Sequence, residues 1–275
     1  MNSFNNYLKS FFFVRLKIVV CLIILGLSPN LNAQDQEIFQ KKVFVKGKDT
    51  LLYRILYPVN FSKEKTYPVL LFLHGAGERG NDNASQLTHG SALFTNPNNR
   101  ILFPVIVLFP QCSLDNYWSN VEIDRSTKPI SFKFQSDEAP TKSLGLVIEL
   151  MDYLLQKPFV NRQQVYVMGL SMGGMGTFEI LAKRPTVFAA AIPICGGGNP
   201  STATLYAKNT ALWVFHGSKD DVVNPQFSVE MVKGILDAGG NPNFTLFGDA
   251  NHNSWDHAFA EQNLLGWLFS KKRKE

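Results

Sequence analysis

A serine, a histidine and an adjacent pair of aspartates are the residues of this 275-residue chain whose types and order suit nucleophilic chemistry. Ser171 sits in Gly169-Leu170-Ser171-Met172-Gly173, directly after the apolar run Val165-Tyr166-Val167-Met168 and before a helix-compatible stretch that stops at Pro185. A strand, a sharp turn and a helix aim a serine hydroxyl out beyond the end of a sheet. The turn needs small residues at 169 and 173, where side chains would collide with the flanking strand and helix. The N-terminus of such a helix also presents free N–H groups to a developing oxyanion. The string Gly-x-Ser-x-Gly recurs by chance; its setting between strand and helix gives it force.

A serine hydroxyl is a poor nucleophile near neutral pH and needs a base within hydrogen-bond reach. His252, on a loop after the last apolar run Phe244-Thr245-Leu246-Phe247, is the candidate. The other histidines fit less well. His74 and His216 end strands, are followed by glycine, and are expected to position loops; His257 falls on a helix face. His89 lies too far ahead in the chain for the order Ser…Asp…His. A carboxylate must then hold the imidazole tautomer. Asp220 and Asp221 are adjacent, so only one can point inward, and Asp220 is favoured; Asp249 is too near His252 in sequence. Oxyanion donors are expected from the Met172 N–H and from the loop His74-Gly75-Ala76-Gly77-Glu78-Arg79-Gly80, through Ala76 or Gly77. Glu78 and Arg79 are expected to pair and fix that loop.

The elements that must carry these groups can be read from hydrophobic patterning. Lys42-Val43-Phe44-Val45-Lys46 and 51–57 alternate around Gly47-Lys48-Asp49, a hairpin signal. The runs 69–73, 105–109, 165–168, 189–194 and 212–215 are almost continuously apolar, as strands buried on both faces of a parallel sheet should be. Helical spacing appears between them, over 144–155, 227–238 and 257–269. The pattern predicts an α/β fold with a mostly parallel sheet, helices on both faces and an antiparallel N-terminal hairpin. Residues 113–141 resist assignment: the stretch is polar, holds Pro129 and Pro140, and carries Tyr117, Trp118, Phe132 and Phe134. Long loops of this kind often shape active sites.

Composition bounds the rest. With 45% hydrophobic and 18% charged residues, the chain suits one large globular domain. Lys9, Arg15 and Lys17 precede the apolar run 18–27, and Leu31-Asn32-Ala33 follows, which reads as a secretory signal peptide over 1–33 ahead of a catalytic domain at 34–275. The run is shorter than the ~20 residues of a spanning helix, so no membrane association is expected after cleavage. Residues 34–275 hold 24 Lys+Arg against 22 Asp+Glu, a net +2, with four basic residues in the tail at 271–274. That balance leaves no basic stripe for nucleic acid. Cys112 and Cys195 follow strands that should not be neighbours, so free thiols are expected, and no His/Cys spacing suggests a metal.

Together, 74–80, Pro110-Gln111-Cys112, 165–174, 193–198, His216-Gly217-Ser218-Lys219-Asp220-Asp221-Val222-Val223 and His252-Asn253-Ser254-Trp255 resemble the α/β-hydrolase superfamily. More narrowly they resemble its secreted esterase and "predicted peptidase" group, near feruloyl esterase-like, polyhydroxybutyrate depolymerase-like and dienelactone hydrolase-like enzymes. In the group pattern the acid falls four residues after the strand-end histidine, which supports Asp220; Asn224 before Pro225 departs from it. The resemblance implies a serine esterase working through an acyl-enzyme without a cofactor. No segment reads as a lipase lid. Tyr117 and Trp118 suit stacking on a sugar or an aromatic acyl group, with core packing an equal alternative for either; with secretion, this makes acetyl or feruloyl esters on plant polysaccharide the expected substrate. A serine peptidase of the same fold and a catalytically silent carbohydrate-binding fold are the alternatives.

Overall fold

The computed structural model describes residues 38–127, 130–135 and 138–273. The signal-peptide segment expected at 1–33 lies outside them, and residues from Ile38 onward form one unit. Its strands are β1 (Gln40–Lys46), β2 (Asp49–Leu56), β3 (Tyr67–Leu73), β4 (Ile106–Pro110), β5 (Val121–Asp124), β6 (Ser131–Phe134), β7 (Val160–Leu170), β8 (Ala190–Ile194), β9 (Ala211–Gly217) and β10 (Asn243–Phe247). Its helices are α1 (Ser91–Thr95), α2 (Pro97–Leu102), α3 (Lys142–Leu155), α4 (Met172–Lys183), α5 (Ala203–Tyr206), α6 (Gln226–Asp237), α7 (Trp255–Phe259) and α8 (Leu264–Ser270).

Eight strands form one sheet in the order β1-β2-β4-β3-β7-β8-β9-β10. The β1–β2 hairpin turns at Gly47, whose φ of 59° favours glycine, and β2 pairs antiparallel with β4. Every later pairing in this sheet is parallel. The continuous apolar runs are explained by burial on both faces. On β3, Val69, Leu71 and Leu73 enter one core cluster while Leu70 and Phe72 enter the other. On β7, Val165 and Val167 separate from Tyr166 and Met168 in the same way. The first cluster is closed by α3, α4 and α6, and the second by α1, α7 and α8. Each fully buried Leu or Phe contributes about 1.5–3 kcal/mol, so the sheet's C-terminal edge is a stiff platform.

Helix α3 starts where Thr141 Oγ1 accepts the Leu144 N–H at 3.2 Å. The helix expected over 257–269 is instead two, α7 and α8. Between them, Glu261 Oε1 accepts the Asn263 N–H at 3.3 Å, a local bond that competes with helix continuation. The unassigned stretch 113–141 contains the antiparallel hairpin β5–β6, a separate two-stranded sheet. Phe132 and Phe134 dock it edge-on against Phe227 of α6, at centroid distances of 5.8 and 5.6 Å. Cys112 and Cys195 are buried free thiols at the ends of β4 and β8, which β3 and β7 separate. Among the described residues, no helix is long and apolar enough to cross a membrane.

Candidate active site

The turn between β7 and α4 forces Ser171 to φ 53° and ψ −118°, a conformation that a non-glycine residue adopts only at a local cost. Its neighbours explain why the turn is held. A β-carbon at Gly173 would collide with the Leu73 carbonyl, and one at Gly169 would collide with the Gly173 carbonyl. The Ser171 N–H donates to Ile194 O at 2.9 Å, and its carbonyl accepts from Met175 N at 3.0 Å. The hydroxyl is thus fixed at the carboxyl edge of the sheet, at the mouth of α4.

His252 reaches it from the loop after β10. Its Nε2 lies 3.0 Å from Ser171 Oγ, and its Nδ1 lies 2.8 Å from Asp220 Oδ2. With Nδ1–H donated to a carboxylate, Nε2 is left as an acceptor facing the serine hydroxyl. The ring stands edge-on to Trp255, 5.4 Å between centroids. Asp220, 7% exposed, is the inward-facing aspartate of the pair, whereas Asp221 is exposed and bonded through its N–H to Asn251 Oδ1.

Asp220 accepts more than the His252 bond. Oδ1 takes the N–H groups of Val222 and Val223 at 3.0 and 2.9 Å. Oδ2 also faces His216 Nε2 at 3.1 Å. Burial by itself would raise this carboxyl's pKa. The bonds from His216, His252 and Val223, with the charge of His252, outweigh it and hold the group well below the usual carboxylate range. His216 Nε2 faces two acceptors, Asp220 Oδ2 and Val223 O at 3.0 Å, so this nitrogen carries the proton. Its role as a second donor to the acid was missed from sequence, although its spacing four residues ahead of Asp220 was a usable signal. Cys195 lies beneath the group, with Sγ, a carboxylate oxygen of Asp220 and a ring nitrogen of His252 all within 4.8 Å. Burial pushes its thiol pKa well up, so a protonated sulfur packs there.

The loop after β3 approaches from the other side. A β-carbon on Gly75 would lie 3.7 Å from Ser171 Cβ and 2.9 Å from Leu170 Cδ1. Ala76–Glu78 then make a single 3₁₀ turn, whose first N–H groups have no partner within the turn. The Met172 N–H, first in α4, is equally free of an intrahelical partner. His74 anchors this loop: its Nδ1–H donates to Gly75 O at 2.7 Å and its Nε2 accepts the Cys112 N–H at 3.0 Å. Burial lowers its pKa to about 4, which keeps the ring neutral in that tautomer.

Two expectations about the surroundings are corrected. Glu78 and Arg79 do not pair. Arg79 donates to the carbonyls of Ala76, Leu114 and Asn116, while Glu78 Oε1 faces His89 Nε2 at 3.8 Å. Trp118 does not reach substrate space either. It is fully buried beneath α4, against Gly176, and its indole N–H donates to His74 O at 3.0 Å. Adjacent Tyr117 stays half-buried and lines the cleft above Ser171. That cleft has a volume of about 280 Å³. Ala76, Gly77, Ser171 and His252 face it, Tyr117, Phe132 and Trp255 supply aromatic surface, and Arg125 and Glu78 supply charge.

A mostly parallel sheet wrapped by helices, with a serine on a strained strand-to-helix turn at its carboxyl edge, is the α/β-hydrolase fold. Within it, this chain belongs to the phospholipase/carboxylesterase family, whose sequence model matches residues 57–263. It is similar to a thermostable esterase of known crystal structure, at 32% identity and a TM-score of 0.77, over 87% of this chain and 64% of that one. It shares 31% identity over 96 residues with a bifunctional acetylxylan esterase/xylanase of Neocallimastix patriciarum, 35% of this chain and 14% of that protein. It is 23% identical over 261 residues to a putative dipeptidyl aminopeptidase of Schizosaccharomyces pombe, 83% of this chain and 28% of the other. The chain therefore spans less than a third of the length of these two curated relatives.

Proposed function

We propose that this protein is a secreted serine hydrolase that cleaves carboxylic esters through an acyl-enzyme. Its substrates in this reading are acetyl or feruloyl-type esters on plant polysaccharide or its oligosaccharides. The observation that carries the reading is the continuous line Asp220–His252–Ser171, at 2.8 and 3.0 Å, ending on the strained turn. Ser171 Oγ attacks the ester carbonyl and passes its proton to His252 Nε2. Asp220 holds the ring and stabilises the imidazolium. The carbonyl oxygen, now negative, is met by the Met172 N–H and by that of Ala76 or Gly77, each such donor being worth about 3–4 kcal/mol in the transition state. The C–O bond to the alcohol breaks as His252 returns the proton to it. Water then enters by the same route, with His252 as base, and releases the acid. No cofactor takes part.

The acetyl assignment is supported by the likeness to an acetylxylan esterase/xylanase, and the feruloyl one by the aromatic surface of Tyr117, Phe132 and Trp255 in the cleft. Secretion is supported by the basic-then-apolar start of the chain. A silent, purely binding fold is disfavoured because all three reacting groups are present and hydrogen-bonded. The match to a putative dipeptidyl aminopeptidase keeps amide cleavage as the second reading. The test uses protein from Gln34 onward and measures acetate and ferulate release from saccharide esters beside cleavage of a peptide amide panel. Ester turnover that falls at least about 10⁴-fold in Ser171→Ala is expected. Turnover of amides alone would replace the esterase reading with a peptidase one.

A further inference from the structure

Behind Tyr117, on the side away from Ser171, lies a second and larger depression. It occupies about 480 Å³, within the ~300–1,000 Å³ range of small-molecule sites. Its walls are the loop through Asp115 and Asn116, strand β5 with Gln135, and the segment from Glu138 to the start of α3. Tyr117 lines both this groove and the catalytic cleft, so a ligand long enough to cross that ring occupies both. The residue is held firmly. Its N–H donates to Asn116 Oδ1 at 3.1 Å, its carbonyl accepts from Thr141 Oγ1 at 2.7 Å, and the Arg79 guanidinium lies 5.6 Å from its ring centre.

We infer that this groove is a subsite for a neutral sugar unit of a polymeric substrate, one or more residues removed from the esterified position. The inference rests on the esterase reading and names its substrate more closely. Three observations carry it. Ser119 lines the groove at 2% exposure, and its hydroxyl oxygen is buried without a hydrogen-bond partner. Buried polar groups are normally paired, so an orphan hydroxyl in a groove wall points to a ligand oxygen. The groove's cations are already engaged. Arg79 donates to three carbonyls and Lys142 is paired with Asp49. What remains exposed is acceptor-rich, in the carboxylates of Asp115 and Glu138, around the apolar surface of Val121, Ile123 and Tyr117. Among the described residues that line the groove, carboxylates outnumber cations, which disfavours an anion. A sugar offers hydroxyl donors to those carboxylates and a C–H face to the aromatic ring.

The test compares wild type with the Asp115→Ala/Glu138→Ala double variant and with Ser119→Ala, thermal melts serving as folding controls. Each is assayed on a short aryl acetate and on an acetylated xylotetraose. The ratio of kcat/KM for the tetrasaccharide ester to that for the aryl ester should fall about tenfold in the double variant, chiefly through KM. An unchanged ratio overturns the subsite while leaving the esterase reading intact. Binding is read separately, by NMR titration of unesterified xylotetraose into Ser171→Ala, with shifts expected at Ser119, Asn120 and Ile123. Shifts confined to the catalytic cleft, or absent, overturn the proposal as well. If no saccharide ester is turned over by wild type, the esterase reading fails by itself, and the titration still decides whether the groove binds sugar.

Discussion

The two sides of Tyr117 are built on opposite plans. On the catalytic side, Asp220 is buried, accepts from His252, His216, Val222 and Val223, and sits on a sheet edge packed on both faces. On the other side, the wall is the loop through Asp115 and Asn116, the four-residue strand β5 and the segment from Glu138, with exposed polar residues and the buried hydroxyl of Ser119 left unpaired. Groups that hold and move a proton are fixed by several bonds each. The carboxylates that would choose a substrate, Asp115 and Glu138, stand exposed on the segments flanking β5. In the proposed reading, the contrast teaches that positioning and selection are carried by separate parts of this chain, which makes them separable by mutation.

The sharpest break is within the acidic pair. Asp220→Asn should lower kcat by about 10⁴-fold, since the amide leaves His252 in the wrong tautomer. Asp221→Asn should change it by less than about twofold, because that side chain faces solvent. Equal effects in steady-state assays would show that the acid is not fixed as its four bonds imply. A second effect of the same residue concerns pH. The folded carboxyl of Asp220 is held below its unfolded value of about 3.9. Its contribution to stability is therefore complete above that value and is lost as pH falls below it towards the folded pKa. In urea unfolding followed by tryptophan fluorescence, Asp220→Asn should be less stable than wild type at pH 7, and the gap should close below about pH 4.

The smallest effects separate the two neighbouring aromatics. Trp118→Phe removes the donor to His74 O and should cost about 1–3 kcal/mol of stability, with KM little changed. Tyr117→Ala should do the reverse, raising KM for saccharide esters several-fold with a smaller loss of stability. A Trp118 variant that raises KM without lowering the melting temperature would return that side chain to substrate contact.

Much of this molecule was legible from the chain because burial on both faces leaves a loud pattern. The runs through Val69, Val165 and Leu212 had to be central strands, and the residues at their ends had to lie along one edge. Ser171, His252 and the inward aspartate followed from that geometry. The β5–β6 hairpin was not legible because its strands are only four residues long, too short for their alternation to stand out from the polar stretch around them. Trp118 was misplaced for a related reason. An aromatic in a polar stretch looks exposed, and only its close packing over Gly176, where a β-carbon would collide with it, shows that it is core. Glu78 and Arg79 misled because adjacency suggests a pair, whereas the 3₁₀ turn sends their side chains to different partners.

The lacing beneath the serine has one more consequence. The Ser171 N–H is bonded to the end of β8 through Ile194 O, and the Cys195 N–H is bonded in turn to the end of β9 through Phe215 O. Ser171 and Asp220, the proposed nucleophile and acid, are therefore surveyed from one baseline, three strand tips tied in series. A segment hung outside that baseline and clear of Trp118, such as the β5–β6 hairpin, can be lengthened, exchanged or redesigned without re-aiming the reaction. For anyone retargeting this enzyme, the hairpin is the part to vary and the strand tips are the part to leave alone.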